Sequence, residues 1–210
     1  MNVRVLQVIP GTADGPGYIF AKRQVNALEK AGIITGRFFL QSRTNPLTLF
    51  REAGRFRRMI REFSPDIVHA HYGTMTSFFC AVHCMRPLVI TFRGPDIKMD
   101  QDVGRLQVWA GHLLSYISAL RASAMICVAA ELRDAMAVPF LRRRADVITG
   151  AVDLDLFKPM PRDEARAKLG WSADEKVALF NIGNAPRRKR LDLAQGAVAV
   201  ARARFGNLRL

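Results

Sequence analysis

Two segments of the sequence end in side chains that could bind a charged or hydroxyl-rich ligand. Residues 65–73 read Pro-Asp-Ile-Val-His-Ala-His-Tyr-Gly, and residues 87–96 read Pro-Leu-Val-Ile-Thr-Phe-Arg-Gly-Pro-Asp. In each segment a short apolar run stops abruptly, and a glycine follows beside imidazole, guanidinium or carboxylate groups. Open α/β sheets bind ligands at the carboxyl ends of their strands. The pattern therefore predicts a ligand-binding α/β protein.

Three side chains of these segments are the candidates for direct chemistry. We expect His69 and His71 to point to opposite sides of their strand, so that at most one faces a cleft. His71 lies nearer the loop and is our choice for a ligand contact, with a purely structural histidine as the equally weighted alternative. Arg93 and Asp96 follow the next strand. There they could hold ligand hydroxyl groups or pair with each other.

A glycine-rich loop follows the first predicted strand, Val3–Ile9. Gly15 and Gly17 precede a helix that is predicted from about Tyr18 to Ala31. Glycine lets the backbone approach a ligand closely, and the N-terminus of a helix attracts anions. Because a glycine loop alone is weak evidence, a tight turn without a ligand is an equally good interpretation.

Strands and helices alternate along the rest of the chain, which predicts a doubly wound, mostly parallel sheet. The further predicted strands are Ile33–Leu40, Asp66–Ala70, Leu88–Phe92, Ala124–Val128, Ala145–Thr149 and Lys176–Ile182. The further predicted helices are Leu47–Phe63, Gly73–Met85, Gly104–Ala122, Glu131–Ala137, Pro161–Leu169 and Leu191–Phe205. A further strand is expected to begin at 207–210. The last strand and helix start a second Rossmann-like unit, and we expect the chain to be a piece of a longer protein.

The composition limits the possible partners. A formal net charge of +14 favours acidic partners such as a phosphorylated substrate, nucleic acid or an anionic membrane. The basic side of the helix Leu47–Phe63 could contact such a membrane, although a solvated surface is the simpler interpretation. No zinc-finger, RNA-recognition or helix-turn-helix pattern accompanies the charge, so no specific nucleic-acid binding is expected.

The cysteines and the N-terminus predict a cytoplasmic protein. Three cysteines are too few for a disulfide framework and fit a reducing compartment. Cys80, His83 and Cys84 lie in an apolar helical stretch without a second ligand pair, so we expect buried thiols and no metal site. The sequence shows neither a signal peptide nor an apolar run of transmembrane length.

With these segments in order, the chain resembles the GT-B glycosyltransferases of family 4. The matching segments are 65–73, 91–96, 124–132, 146–159 and 183–192. The resemblance implies a Rossmann-like acceptor-side domain over 1–158, a linker over 159–175, and the start of a nucleotide-sugar-binding domain over 176–210. Two segments depart from the family, since Arg93-Gly94 replaces the usual His-Gly and Gly150-Ala151 replaces the Asn-Gly of the hinge. The family's paired glutamates belong farther into the second domain and are absent.

The resemblance also implies roles for the candidate residues. His71, Arg93 and Asp96 would lie at the catalytic centre, and Gly15 and Gly17 would lie against the donor phosphates or the acceptor. An Arg/Lys pair of the family clamps the diphosphate, and Lys189 matches the lysine while Arg187 or Arg188 would replace the arginine, whose usual position is Asn184. A solvated basic loop is the alternative for these last residues.

The reaction implied is sugar transfer from a nucleotide-sugar to a sugar or lipid-linked acceptor, in cell-envelope polysaccharide or glycolipid synthesis. It would retain configuration, with the leaving phosphate assisting the incoming hydroxyl, and it would need no cofactor and no metal. A peripheral location on the inner face of the membrane is compatible with it. The alternatives are a truncated binding module without catalysis and, less favoured, a basic nucleic-acid-binding protein.

Overall fold

The computed structural model describes residues 3–99, 103–183, 186–206 and 208–210, apart from the side chains of Pro186 and Arg188. The chain divides into two units, Met1–Ala151 (unit 1) and Val152–Leu210 (unit 2). The predicted bounds of 1–158, 159–175 and 176–210 remain predictions.

Unit 1 contains a six-stranded sheet in which all neighbouring strands are parallel. Its strands are β1 (Arg4–Pro10), β2 (Ile34–Leu40), β3 (Ile67–Ala70), β4 (Leu88–Phe92), β5 (Ala124–Cys127) and β6 (Ala145–Val147). Its helices are α1 (Ile19–Lys30), α2 (Pro46–Phe63), α3 (Thr74–His83), α4 (Arg105–Arg121), α5 (Ala130–Asp134) and α6 (Pro139–Arg143). The strand order is β2-β1-β3-β4-β5-β6. The predicted parallel α/β fold is confirmed.

Two apolar clusters lie on opposite faces of this sheet. The larger one joins strands β1 to β6 with helices α2 to α6, and it contains the aromatic group Phe38, Phe56 and Phe79. The rings of Phe38 and Phe56 lie 5.0 Å apart, and those of Phe56 and Phe79 lie 5.3 Å apart. The smaller cluster packs Ile9 against Ala21 and Val25 of α1. Successive side chains of a strand point to opposite faces, and the central strand β1 is buried at successive positions, so both faces of the sheet are covered there.

Helix α2 begins and ends where its local sequence predicts. The Asn45 side chain accepts a hydrogen bond from the Thr48 backbone N–H at 3.1 Å, and Pro46 takes the first helical position. Both are preferred N-terminal features. Ser64 ends the helix in the left-handed conformation, with φ of 45°. Ala53 and Phe56 of the helix pack into the larger cluster, whereas its arginines are exposed.

Unit 2 consists of short elements. They are α7 (Arg162–Leu169), β7 (Lys176–Val177), α8 (Pro186–Lys189), α9 (Leu191–Phe205) and β8 (Leu208–Arg209). The predicted strand Lys176–Ile182 is too long, since β7 covers only Lys176–Val177. The strand is short because only two of its residues pair with β8. The predicted basic loop contains the short helix α8. Residue 207 of the predicted last strand lies outside the described residues, and β8 at Leu208–Arg209 agrees with the rest of that prediction.

Helix α6 was not predicted from the sequence. Val138 is extended and Pro139 occupies the first turn of the helix, so the proline starts a five-residue turn that lacks a clear apolar period. Within the described residues, no helix combines the length and the apolar composition needed to cross a membrane.

Candidate active site

The topology places three loops at one edge of the sheet. The chain runs from β1 to β2 on one side and then to β3 on the other, so the strand order reverses between β1 and β3. Ligands of open α/β sheets bind outside the carboxyl ends of the strands at such a point. The glycine loop after β1, the residues His71–Gly73 after β3 and the loop that begins at Arg93 after β4 all start there.

Asp96 connects the ends of β3 and β4. Its carboxylate is fully buried and accepts hydrogen bonds from the backbone N–H groups of Gly73 at 2.9 Å, Arg93 at 3.0 Å and Gly94 at 2.7 Å. Burial raises the pKa of Asp96, and these backbone donors oppose the shift. The predicted pairing with Arg93 is realised through the Arg93 backbone and not through its guanidinium. The carboxylate thus faces inward, and its role toward acceptor hydroxyls remains a prediction.

Position 73 has no room for a side chain, so only glycine fits there without a shift of its neighbours. A Cβ atom at this position would lie 2.6 Å from Ser115 Oγ, 2.9 Å from Asp96 Cβ and 3.0 Å from a ring atom of Phe92. Its neighbours Tyr72 and Thr74 have φ of 152° and 51°, values that L-residues rarely adopt. Residues in such conformations persist only where the surroundings enforce them, and they cluster at functional sites.

The expected divergence of His69 and His71 is wrong. Their ring centroids lie 4.1 Å apart, because residues two apart on an extended chain share a face. Both side chains are buried. His69 Nε2 lies 2.7 Å from Thr91 Oγ1, and His71 Nε2 lies 2.7 Å from Gln7 Oε1.

Both imidazoles are neutral at neutral pH. Burial, together with the positive charge of Arg93, lowers the pKa of His69 to about 4. Burial, His69 and Arg93 lower the pKa of His71 well below its usual value. The Nη2 of Arg93 lies 3.1 Å from His71 Nδ1 and can only donate, so Nδ1 accepts and Nε2 carries the proton donated to Gln7. His71 has no exposed atom here and acts on the cleft through Arg93; its direct contact with a ligand remains a prediction.

Among the described residues, the Arg93 guanidinium is hydrogen-bonded only to neutral groups. Its Nη2 also donates to Oε1 of Gln24 in α1 at 3.0 Å. Burial lowers its pKa, and nearby Asp96 opposes this shift. Two buried donors beside His71, Arg93 Nε and Gln7 Nε2, have no hydrogen-bond partner in the described structure. The sequence pointed to Arg93 but missed Gln7 and Gln24. A glutamine within the buried strand β1 was the available signal.

The glycine loop is fastened by Lys22. Its Nζ donates to the carbonyl oxygens of Ala13 at 2.8 Å and Gly15 at 2.6 Å. A Cβ at Gly15 would lie 2.8 Å from Thr12 Oγ1, whereas Gly17 has open space around it. The loop therefore has a defined turn, and contact of Gly15 or Gly17 with donor phosphates remains a prediction.

The predicted diphosphate clamp belongs to unit 2. Arg187 and Lys189 are exposed on α8, and the side chain of Arg188 lies outside the described residues, as does Asn184. Arg190 pairs with Asp192 at 2.8 Å, and this hydrogen bond lowers the pKa of Asp192. The phosphate-binding role of Arg187, Arg188 and Lys189 remains a prediction.

An apolar pocket of about 360 Å³ adjoins the ends of β3 and β4. Its lining includes Arg43, Tyr72, Thr74, Met75, Val108 and Leu114. The Arg43 guanidinium lies 5.8 Å from the ring centroid of Tyr18 and 5.4 Å from that of Tyr72. Sequence reasoning missed these residues, although Tyr72 stands directly beside His71.

The cysteines and histidines do not assemble into a metal centre. In the described part of the chain, no three His, Cys, Asp or Glu side chains are grouped so that they could hold a metal ion. Cys80, Cys84 and Cys127 are buried free thiols. Burial raises the pKa of all three, which makes them poor nucleophiles.

Comparison with known families and structures agrees with this geometry. The family model described as Glycosyltransferase Family 4 matches residues 3–156. No curated protein sequence gives a significant match.

Three solved structures illustrate the shared fold. The UDP-GlcNAc 2-epimerase from Methanocaldococcus jannaschii is 12% identical with a TM-score of 0.61, covering 98% of this chain and 64% of its own. The Anabaena protein HepE in complex with UDP and glucose is 15% identical with a TM-score of 0.58, covering 100% and 69%. Sucrose-phosphate synthase from Thermosynechococcus elongatus is 15% identical with a TM-score of 0.59, covering 84% and 54%. The chain thus spans between about half and two thirds of the length of these proteins.

Proposed function

Because the chain belongs to glycosyltransferase family 4, we propose that it supplies the acceptor side of an enzyme that transfers a sugar from a nucleotide-sugar to an acceptor. The acceptor is a sugar or a lipid-linked sugar of cell-envelope polysaccharide or glycolipid synthesis. The carrying observation is the polar network at the ends of β3 and β4, in which Asp96, His71 and Arg93 are held by hydrogen bonds beside the switch point between β1 and β3. UDP in one structural neighbour supports a nucleotide-sugar donor.

The apolar pocket supports an acceptor with an apolar part. Met75, Val108 and Leu114 offer an apolar surface beside the strand ends, and Arg43 also lines the pocket. Binding pockets commonly combine such apolar walls with a few polar groups that fix orientation. A lipid-linked sugar fits this combination better than a free sugar does.

The state of Asp96 and His71 supports the retaining mechanism. Asp96 is saturated by backbone donors, and His71 is neutral with both ring nitrogens in hydrogen bonds. Neither is placed to take a proton from the acceptor. In the proposed mechanism the leaving phosphate oxygen accepts that proton, while cationic groups stabilise the diphosphate.

Product analysis tests the proposal. The chain would be incubated with UDP- and GDP-sugars and a set of lipid-linked and free sugar acceptors, and products would be identified by mass spectrometry. We expect a glycosylated acceptor and an equal amount of released nucleotide. An epimerised nucleotide-sugar without transfer would contradict the proposal. Acceptor binding without turnover would indicate the binding module instead.

We also propose that the protein docks on the cytoplasmic face of an anionic membrane. Helix α2 exposes the arginines predicted from the sequence, and α4 adds an apolar stripe that was not anticipated. The stripe consists of Leu106, Trp109, Leu113, Ile117 and Leu120, which are exposed by 85%, 71%, 57%, 43% and 63%. Helix α4 has arginines at both ends and no carboxylate between them. An apolar face with tryptophan beside basic residues is typical of helices in the membrane interface.

Vesicle sedimentation tests this docking. We expect binding to vesicles that contain phosphatidylglycerol, weaker binding to pure phosphatidylcholine, and a loss of binding in the Trp109→Ser/Leu113→Ser variant. Val200→Ser, which removes a side chain of α9 that is 77% exposed, is the matched control. Equal binding of the two variants would rule the stripe out, and a salt-stable dimer in solution would identify a second copy as its occupant.

A further inference from the structure

Arg93 is a cation whose contacts do not neutralise it. Its Nη2 uses its two N–H bonds on Gln24 Oε1 and His71 Nδ1, which are both uncharged acceptors. Among the described residues, no carboxylate lies within ion-pair distance of the guanidinium. The adjacent carboxylate, Asp96, is occupied by three backbone N–H groups. Within the described residues the guanidinium therefore has no ion-pair partner, and Asp96 acts on it only through space.

The Arg93 guanidinium also has unused donors. Nε is buried without a partner. Nη1 makes no hydrogen bond within the described part of the chain, and Arg93 as a whole is partly exposed. A buried donor without an acceptor destabilises the folded state, because it has lost its hydrogen bonds to water. Such a cost is compatible with folding where a ligand supplies the missing acceptor.

The surroundings make Arg93 rigid. It follows β4, and its side chain is bound from β3 through His71 and from α1 through Gln24. His71 is in turn bound to Gln7 of β1. Four elements thus determine where the guanidinium points. A pre-organised arginine loses little entropy on binding and recognises carboxylate and phosphate groups by geometry as well as by charge.

Arg93 departs from the pattern of the family that the chain resembles, in which the usual residue at this position is histidine. A neutral imidazole would suit a hydroxyl group, whereas a fixed guanidinium suits an anion. The diphosphate of the donor is expected to meet the basic residues of unit 2, so a cation in unit 1 is free for another anionic group.

We infer that Arg93 is a specificity-determining residue that binds an anionic group of the acceptor, so that the acceptor is an acidic sugar or a sugar phosphate. His71 and Gln24 are positioning residues, since they act through Arg93. This inference rests on the proposed sugar transfer at the same strand ends. The shared chemistry is an oxyanion, and a carboxylate and a phosphate are both compatible with it.

Binding to small probes tests the inference. Isothermal titration would compare glucuronate and glucose 6-phosphate with glucose, and UDP would report on the donor side. We expect at least one acidic probe to bind about ten- to a hundredfold more tightly than glucose, as charge-assisted hydrogen bonds allow. In Arg93→Gln and Arg93→His that preference disappears, whereas Arg93→Lys keeps part of it. UDP affinity stays the same in all of them.

Two controls separate the outcomes. Arg143→Gln removes one charge from the exposed side of α6, and it leaves the preference for acidic probes unchanged. The Arg93 Nε–H resonance, followed by NMR in the unmodified chain, shifts with the acidic probe and not with glucose. Because this signal is read in the unmodified chain, poor folding of a variant cannot decide the result.

Three results would overturn the inference. The first is equal affinity of the chain for acidic and neutral probes. The second is an unchanged preference for acidic probes in Arg93→Gln. The third is a loss of affinity in the Arg93 variants that is confined to UDP, which would assign Arg93 to the donor. If sugar were transferred to neutral acceptors at the full rate, the proposed function would stand, but the inference that the acceptor is acidic would be contradicted. Failure of all transfer alongside retained acidic-probe binding would instead contradict the proposed function alone.

Discussion

The two units place their cationic side chains in different environments. In unit 1, Arg93 is partly buried and bound to neutral partners from β3 and α1. In unit 2, Arg187 and Lys189 are exposed and Arg190 is paired with Asp192. The number of positive charges is therefore a poor guide to function. Only a cation fixed by its surroundings is ready to bind without first losing conformational freedom.

The two units also differ in how many apolar side chains they bury. The large apolar cluster lies wholly in unit 1, whereas Val198 is the one buried apolar side chain among the described residues of unit 2. Apolar burial is the main source of stability in folded proteins. Changes at the packed strand ends of unit 1 should therefore affect stability strongly, and changes on the surface of unit 2 should affect it little.

The largest effect is expected from Gly73→Ala. The added Cβ would overlap with Ser115 Oγ at 2.6 Å and with Asp96 Cβ at 2.9 Å, so the strand ends would have to move apart. We expect the free energy of unfolding to fall by about 3 kcal/mol, at the upper end of overpacking costs. Urea unfolding followed by circular dichroism measures this.

Gly54→Ala is the matched control for Gly73→Ala. Gly54 lies inside α2 with open space around its Cα. Alanine is the better helix former, and we expect a gain of about 0.5–1 kcal/mol. If both variants lost stability equally, the space at Gly73 would not be the cause.

A smaller loss of unfolding free energy is expected when the pH is lowered. The folded-state pKa of His69 is about 4, below the 6.5 of an unfolded histidine, so the unfolded chain binds the proton first. The stability that the buried, neutral His69 contributes is fully present above pH 6.5 and is lost as the pH falls toward 4. For His69 alone we expect a loss of about 2 kcal/mol between pH 7.5 and 5. His71 acts in the same direction.

His69→Gln provides the comparison for the pH series. The amide can still hydrogen-bond to Thr91 but does not titrate, so the fall in unfolding free energy between pH 7.5 and 5 should become shallower. All four histidines lie in unit 1, which places this dependence there. An identical pH profile in His69→Gln would show that His69 is charged or exposed in the folded protein.

The sequence predicted elements whose signals are local. Strand β4 and helix α9 have their predicted bounds, Leu88–Phe92 and Leu191–Phe205. For β4 the signals are a short apolar run with β-branched residues that follows a proline. For α9 they are a segment rich in alanine, leucine and arginine that ends before Gly206. The parallel fold followed from the alternation of such elements.

The candidate site was only partly predictable, because its contacts join distant parts of the chain. Gln7, His71 and Arg93 meet because β1 pairs with β3 and β3 with β4, and the sequence does not state this strand order. Asp96 was predicted at the strand ends, but its partners are backbone N–H groups, which leave no trace in the sequence. Type and position of residues were therefore predictable, whereas orientation and partners were not.

The smallest effect is expected from the Arg190–Asp192 pair of unit 2. Both groups are fully exposed, so water screens their attraction and the long arginine loses rotamer freedom in forming it. We expect Asp192→Ala to leave the thermal unfolding of the chain unchanged within error. Glu52→Ala in unit 1 is the contrasting variant, because the Glu52 side chain is 7% exposed and bound to Arg55. We expect it to cost about 1–2 kcal/mol. A loss in Asp192→Ala as large as that in Glu52→Ala would mean that unit 2 depends on its surface charges, and the contrast between the units would fail.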